Sequence, residues 1–109
     1  VVILINGNSA SASELFTQTL REYNKATVIG TKSYGKGVYQ NLYPLSVDGA
    51  VIKITGGRYF SPKGFCVDGV GIEPDITVEY VKIDPTITDP ELTDDNQIKA
   101  AVDFYNKTK

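Results

Sequence analysis

The sequence predicts an α/β fold in which a strand-helix-strand unit is followed by further strands and a C-terminal helix. Two observations carry this prediction. Short apolar runs rich in β-branched residues, at positions 1–5 and 26–29, flank a stretch in which apolar residues recur with helical spacing. The region after Gly37 then changes to short strand-like segments separated by turn residues.

The first thirty residues predict a βαβ unit. The first run reads as a strand buried on both faces, and the helix is marked by Ala12, Leu15, Phe16, Leu20 and Tyr23. The two strands of such a unit are parallel and joined by a right-handed crossover. Because ligands and reactive groups collect at the carboxyl ends of parallel strands, we expect loops 6–13 and 31–36 to be neighbours.

The remaining elements follow from local patterns. Strands are predicted at 38–45 and 50–55 around a turn at Asp48-Gly49, a short segment at 58–60 leads into a turn, and a last strand is predicted at 76–81. Ile98, Ala101, Val102 and Tyr105 mark an amphipathic helix, with Asp94 and Gln97 at capping-box spacing. We therefore divide the chain into a main unit, 1–83, and an acidic linker with a helix, 84–109.

Composition excludes several classes of function. The chain of 109 residues contains no His and one Cys, so it cannot carry a Ser-His-Asp triad, a Cys-His pair or a common zinc site. A formal charge of −2 argues against a nucleic-acid surface, and no stretch is apolar enough to span a bilayer. No metal or organic cofactor is expected. Any nucleophilic chemistry must use a base other than imidazole.

Lys36 lies in the glycine-rich stretch GTKSYGKG and admits several interpretations. A phosphate-binding loop would need Ser or Thr after the lysine and a following helix, whereas Gly37 and a strand pattern follow here. The S-x-x-K motif would need Ser33 at the start of a helix and two partner motifs that are absent, so Ser33 reads as an ordinary loop serine.

A third interpretation pairs Lys36 with a serine in the loop NGNSASASE. Ser11 and Glu14 have the spacing of a capping box, which by itself indicates a structural role for Ser11. The same position favours a nucleophile, because free N–H groups at a helix N-terminus stabilise an oxyanion. Ser9 and Ser13 compete with Ser11 on spacing alone. Lys36 can act as a base only if burial lowers its pKa.

Four sequence blocks together resemble the carboxy-terminal processing peptidases, also called tail-specific proteases. The blocks occur in family order over roughly residues 1–80: N-G-x-S-A-S-A-S-E, G-T-x-x-x-G-K-G-x-x-Q, R-Y-x-x-P-x-G and G-x-G-I-x-P-D. The resemblance implies that Ser11 is the nucleophile, Lys36 its general base and Gln40 the residue that holds the lysine amine. It also implies that the backbone N–H of Ala12 is one oxyanion donor, the other lying upstream.

The resemblance carries further expectations. It implies the second half of a serine peptidase domain with the ClpP/crotonase-like fold, acting on protein or peptide substrates outside the cytoplasm, with an upstream PDZ domain. We expect the fragment to be inactive alone and prone to self-association through exposed apolar surface. The alternative is a non-catalytic ligand- or peptide-binding module on the same fold, which the presence of Ser11, Lys36 and Gln40 disfavours.

Gln40 allows a geometric expectation. On a straight strand residues 36 and 40 would share a face but stand roughly 13 Å apart, so the backbone must bend near Gly37 if their side chains are to meet. Arg58 reads as structural, and Cys66, with no His to pair with, reads as a small buried hydrophobe.

Overall fold

The computed structural model describes all 109 residues and contains five strands and two helices. In chain order these are β1 (Val2–Ile5), α1 (Ala12–Glu22), β2 (Thr27–Gly30), β3 (Val38–Pro44), β4 (Val51–Arg58), β5 (Ile76–Thr77) and α2 (Asn96–Lys107). A single 3₁₀ turn, Leu92–Asp94, precedes α2. The predicted α/β order is confirmed.

A three-stranded parallel sheet forms the base of the chain, with β2 at its centre between β1 and β5. Val2 pairs with Thr27 and Ile5 with Gly30, which confirms the βαβ unit. The prediction that β1 is buried on both faces is wrong for this chain. The core cluster covers the face of β1 that carries Ile5, which is buried, whereas Leu4 on the other face is 39% exposed.

The core is small and lies on one side of the parallel sheet. Its buried members come from β1, β2 and the segment that precedes β5: Ile5, Val28, Val67 and Ile72. Ile3, Tyr59 and Phe65 pack against them. Cys66 lies between two of these positions as a half-buried free thiol. The core therefore joins the first thirty residues to the segment around residue 70.

Helix α1 forms where the spacing predicts it, but its apolar residues do not face the core. The buried side of the helix carries Glu14, Thr17 and Gln18. Phe16 and Tyr23 are 60% and 51% exposed. Side-chain contacts explain the buried polar face, because Glu14 makes four hydrogen bonds within the chain.

Strands β3 and β4 form an antiparallel hairpin that extends away from the sheet. The side chains of residues 39–56 are exposed, including those of Leu42, Tyr43 and Ile54. The Cα radius of gyration is 17.9 Å, whereas a compact chain of this length has about 13 Å. The hairpin therefore accounts for much of the extended shape.

Two local predictions need correction. The last strand spans Ile76–Thr77 rather than 76–81, because its partner β2 ends at Gly30 and offers no further backbone groups to pair with. The N-cap of α2 is Asp95, whose carboxylate accepts the N–H groups of Gln97 and Ile98, and not Asp94. Neither helix is long and apolar enough to cross a lipid bilayer.

Candidate active site

The loops that follow β1 and β2 are neighbours, as predicted. The Tyr34 N–H donates to the Ser9 carbonyl at 2.9 Å, and the Thr31 N–H donates to the Ile5 carbonyl at 3.0 Å. These bonds bring the stretch that contains Ser11 against the stretch that contains Lys36. Both stretches lie at the carboxyl edge of the parallel sheet, where side chains from different loops can converge.

Ser11 immediately precedes α1 and has an unusual backbone conformation. Its φ is 59° and its ψ is −120°, outside the right-handed helical and extended regions that most residues adopt. Ser11 and Glu14 form the predicted capping box, in which the Ser11 hydroxyl faces the Glu14 N–H without a close hydrogen bond and the Ser11 N–H donates to Glu14 Oε2 at 2.8 Å. Non-glycine residues in such conformations cluster at functional sites, where the surroundings hold them in place.

The neighbouring serines differ from Ser11 in how their hydroxyls are used. Ser13 Oγ donates to the Ala10 carbonyl at 2.7 Å, and Ser9 Oγ accepts the Asn6 N–H at 3.1 Å. Both hydroxyls therefore serve the local backbone. The Ser11 hydroxyl donates to no group within the chain, and the group that faces it is the Glu14 N–H of the capping box, which also donates to the Ser11 carbonyl at 3.0 Å.

The N-terminus of α1 offers free donors beside Ser11. The N–H groups of Glu14 and Leu15 donate to the Ser11 carbonyl, both at 3.0 Å, whereas the Ala12 N–H has no acceptor within the chain. Free N–H groups of this kind, together with the helix dipole, favour negative charge at the first turn. Ala12 thus has a donor available for an oxyanion near Ser11.

Lys36 is held through its main chain. Its N–H donates to Glu14 Oε2 at 2.9 Å, and its carbonyl accepts the hydroxyl of Tyr59. The side chain is half-buried, and its amine forms no hydrogen bond or salt bridge within the chain. The structure therefore brings the Lys36 backbone next to α1 without joining the Lys36 amine to the Ser11 hydroxyl.

Gln40 lies on β3, and its side chain is exposed. The pairing of β3 with β4 shifts register next to it, since Tyr39 pairs with Gly57 but Gln40 pairs with Thr55, which leaves Gly56 as the extra residue of a bulge. A bulge bends a hairpin and increases its twist. The extra residue of this bulge lies on β4, opposite the step from Tyr39 to Gln40, and the Gln40 side chain forms no hydrogen bond within the chain.

Glu14 is the residue whose importance the sequence did not reveal. Its side chain is 1% exposed and accepts four hydrogen bonds. Oε2 accepts from the Ser11 and Lys36 N–H groups, and Oε1 accepts from Ser33 Oγ at 2.5 Å and from the Gly35 N–H at 2.7 Å. Burial alone would raise the pKa of Glu14, but these hydrogen bonds outweigh it and lower the pKa below its ordinary value.

Ser33 links this carboxylate to the core. Its hydroxyl donates to Glu14 and accepts the Ile72 N–H at 2.7 Å, and its own N–H donates to the Ile72 carbonyl at 3.1 Å. The side chain is buried. These contacts agree with a structural role for Ser33, because its buried hydroxyl both donates and accepts within the chain.

The segment 67–72 supports the Lys36 loop from behind. Gly35 and Gly71 have φ values of 91° and 71°, and an added Cβ at Gly71 would lie 2.6 Å from the Ser33 carbonyl oxygen. Asp68 accepts the Gly37 N–H at 3.2 Å and forms an ion pair with Arg58 at 3.1 Å. Arg58 therefore has a structural contact, which fixes the base of the hairpin next to the Lys36 loop.

The largest cavity lies elsewhere. It has a volume of about 590 Å³ and is lined by residues at the amino ends of β1 and β2, including Val2 and Thr27, and by Phe104 and Tyr105 of α2. Because Ser11 and Lys36 follow the carboxyl ends of the same strands, this cavity is at the opposite edge of the sheet. No group of three His, Cys, Asp or Glu side chains is arranged to hold a metal ion.

Comparison with known protein sequences gives matches to one family of peptidases. Residues 1–78 match the sequence profile of Peptidase family S41. A carboxy-terminal-processing protease of Bartonella bacilliformis is 43% identical over 98 residues, which cover 84% of this chain and 22% of that protein. A probable CtpA-like serine protease of Staphylococcus aureus is 45% identical over 82 residues, covering 75% of this chain and 16% of that protein.

Solved structures give the same result for the fold. The photosystem II D1 C-terminal processing protease superposes with a TM-score of 0.65 and 33% identity, over 72% of this chain and 20% of that one. The tricorn protease superposes with a TM-score of 0.75 over 98% of this chain and 10% of that one, at 23% identity. The chain spans about a fifth of the curated relatives it matches. It belongs to Peptidase family S41.

Proposed function

We propose that this chain supplies the nucleophile and general base of a serine endopeptidase of the carboxy-terminal processing type. Ser11 Oγ attacks the substrate carbonyl, and the Lys36 amine takes the hydroxyl proton and returns it to the leaving amine. The Ala12 N–H donates to the oxyanion, and Gln40 holds the lysine amine. Water then attacks the acyl-serine and releases the carboxylate product.

The observation that carries the proposal is the contrast between Ser11 and the serines around it. Ser11 has a hydroxyl that donates to no group within the chain, a conformation outside the common regions and a free N–H next to it on Ala12. Ser13 and Ser33 each use their hydroxyl in a backbone or carboxylate contact. Lys36, whose main chain is held by the same carboxylate as Ser11, is the nearby candidate for a base.

The setting of the activity is part of the same proposal. The chain is a fragment of a longer peptidase that acts on protein substrates outside the cytoplasm and captures them with an upstream PDZ domain. Exposed apolar residues such as Phe16 and Leu42 support the idea that other parts of that protein cover this surface. Alone, the chain should hydrolyse peptides far more slowly than the longer enzyme and should self-associate in light scattering.

Kinetics of the protein encoded by the full reading frame test the dyad. Ser11→Ala and Lys36→Ala should each reduce kcat by at least about 10⁴-fold, and the double variant should be scarcely worse because the two groups act as one unit. Gln40→Ala should have a smaller effect. Ser13→Ala is the matched control and should retain most activity, and Ser33→Ala, which removes one donor to Glu14 Oε1, should lose far less activity than Ser11→Ala.

Two outcomes would refute the dyad. In one, Ser33→Ala abolishes turnover while Ser11→Ala does not, which would favour the S-x-x-K interpretation. In the other, Ser11→Ala leaves peptide binding and the function of the protein intact, which would favour a non-catalytic binding module.

A further inference from the structure

A single carboxylate oxygen bridges the two proposed catalytic loops. Glu14 Oε2 accepts the Ser11 N–H at 2.8 Å and the Lys36 N–H at 2.9 Å, so the two main-chain nitrogens lie within two hydrogen-bond lengths of each other. We infer that Glu14 is a positioning residue that sets the distance between the nucleophile and the general base. This inference rests on the proposed roles of Ser11 and Lys36.

The hydrogen bond between the Ser11 N–H and Glu14 supports the unusual backbone conformation of Ser11. A φ of 59° in a serine persists only when neighbouring groups hold it. The Glu14 carboxylate accepts the Ser11 N–H, and the N–H groups of Glu14 and Leu15 both donate to the Ser11 carbonyl. Both peptide groups of Ser11 are therefore fixed, which determines the direction in which its hydroxyl leaves the backbone.

Lys36 is held in a similar way. Its N–H donates to Glu14, and its carbonyl accepts the Tyr59 hydroxyl, so the peptide groups on both sides of its Cα are fixed. A reactive side chain keeps a productive geometry best when its backbone is rigid and supported by further hydrogen bonds. Only the side-chain torsion angles of Lys36 then remain free to vary.

The second oxygen of Glu14 anchors this bridge to the core. Oε1 accepts from Ser33 Oγ and the Gly35 N–H, and Ser33 in turn pairs with both backbone groups of Ile72, a core residue that is 1% exposed. A carboxylate with acceptors only is suited to this task because all four of its partners are donors. A neutral amide of the same shape cannot replace it.

Glu14→Gln tests the inference in the protein from the full reading frame. If the NH₂ group faces Ser11 and Lys36, it opposes both of their N–H groups and the bridge is lost; if it faces Ser33 and Gly35, it opposes the Gly35 N–H, while the Ser33 hydroxyl can turn to accept from it. A shift of about 1 Å in the nucleophile or base can cost about a hundredfold in rate, so we expect kcat to fall by about a hundredfold. KM should change little, because Glu14 does not contact the substrate.

Glu22→Gln is the matched control. Glu22 lies at the other end of α1, and its carboxylate accepts hydrogen bonds from Gln18, Ser61 and the Lys63 N–H, which join the helix to a loop away from Ser11. This variant should lose stability against urea but keep the wild-type kcat. A merely structural role for Glu14 predicts that both variants lose stability and that neither changes kcat per folded molecule.

A second variant and a second control keep the test decisive. Glu14→Asp keeps the charge but withdraws the carboxylate by one methylene from all four donors, so it should show the loss of kcat however the amide of Glu14→Gln is turned. A wild-type kcat in folded Glu14→Asp would overturn the inference. Ser11→Ala separates the positioning role from the proposed function: if Ser11→Ala stays active, the proposed function fails, whereas an inactive Ser11→Ala with a fully active Glu14→Asp refutes only the positioning role.

Discussion

The α/β body and the β3–β4 hairpin hold their proposed catalytic residues in different ways. The body, which comprises residues 1–37 and 59–77, fixes the main chains of Ser11 and Lys36 through Glu14 and Tyr59. The hairpin carries Gln40 on an exposed strand beside a bulge, where its side chain makes no contact of this kind. The main chains of two of the three proposed residues are thus held within this chain, whereas no contact of this kind holds Gln40.

The same difference appears in the glycines of the two regions. Gly71 in the body and Gly49 at the hairpin turn have nearly equal φ values, 71° and 69°. An added Cβ at Gly71 would lie 2.6 Å from the Ser33 carbonyl oxygen, whereas one at Gly49 would meet nothing within 4 Å. Replacing either glycine therefore carries a similar conformational cost, and the two positions differ in how closely other atoms pack around them.

Substituting these two glycines should give the largest difference between the regions. Gly49→Ala should cost about 1 kcal/mol for the left-handed conformation alone. Gly71→Ala should cost about 3 kcal/mol, because the clash with a main-chain oxygen adds to the same conformational term. Urea unfolding of the 109-residue chain measures both. Equal losses would show that segment 67–72 does not pack tightly against the Lys36 loop.

Acid should weaken the body before it affects the hairpin. The pKa of Glu14 in the folded chain lies below its ordinary value of 4.5, so its hydrogen bonds stabilise the fold above that pH. This contribution is lost as the pH falls below 4.5 and passes through the lowered pKa. Stability measured from pH 6 downwards should therefore fall in the wild type and change less in Glu14→Gln.

Asp84→Asn provides the comparison for this pH series. Hydrogen bonds from the Thr86 N–H and hydroxyl lower the pKa of Asp84, but the group is exposed and its partners are local. Replacing Asp84 with Asn should alter the pH dependence of the stability less than Glu14→Gln does. Superimposable pH curves for the wild type and Glu14→Gln would mean that the buried carboxylate does not support the body.

Sequence patterns predicted the secondary structure well where it depends on local spacing. The helix that begins at Ala12, the hairpin around Asp48 and the parallel pairing of the first two strands all follow from periodicity and turn residues. The last strand was overestimated because strand length depends on a partner, and β2 ends at Gly30. Helix spacing identified the apolar residues of α1 but not which side of the helix would be covered.

In the candidate site, too, local sequence patterns do not reveal contacts between distant segments. The spacing of Ser11 and Glu14 indicates a capping box, and the structure contains this capping box. The other three donors to Glu14 come from residues 33–36, which no local pattern connects to a glutamate in the preceding helix. A buried, fully hydrogen-bonded carboxylate is a tertiary feature, and only the fold reveals it.

The most direct test of the account is to identify the serine that reacts. The protein from the full reading frame, treated with a fluorophosphonate and analysed by peptide mass spectrometry, should carry the phosphonyl group on Ser11. Labelling should be lost in Lys36→Ala, slowed in Glu14→Asp and retained in Ser13→Ala. A label on Ser9, Ser13 or Ser33, or rapid labelling of Ser11 without Lys36, would contradict the proposal that Ser11 and Lys36 form the catalytic pair.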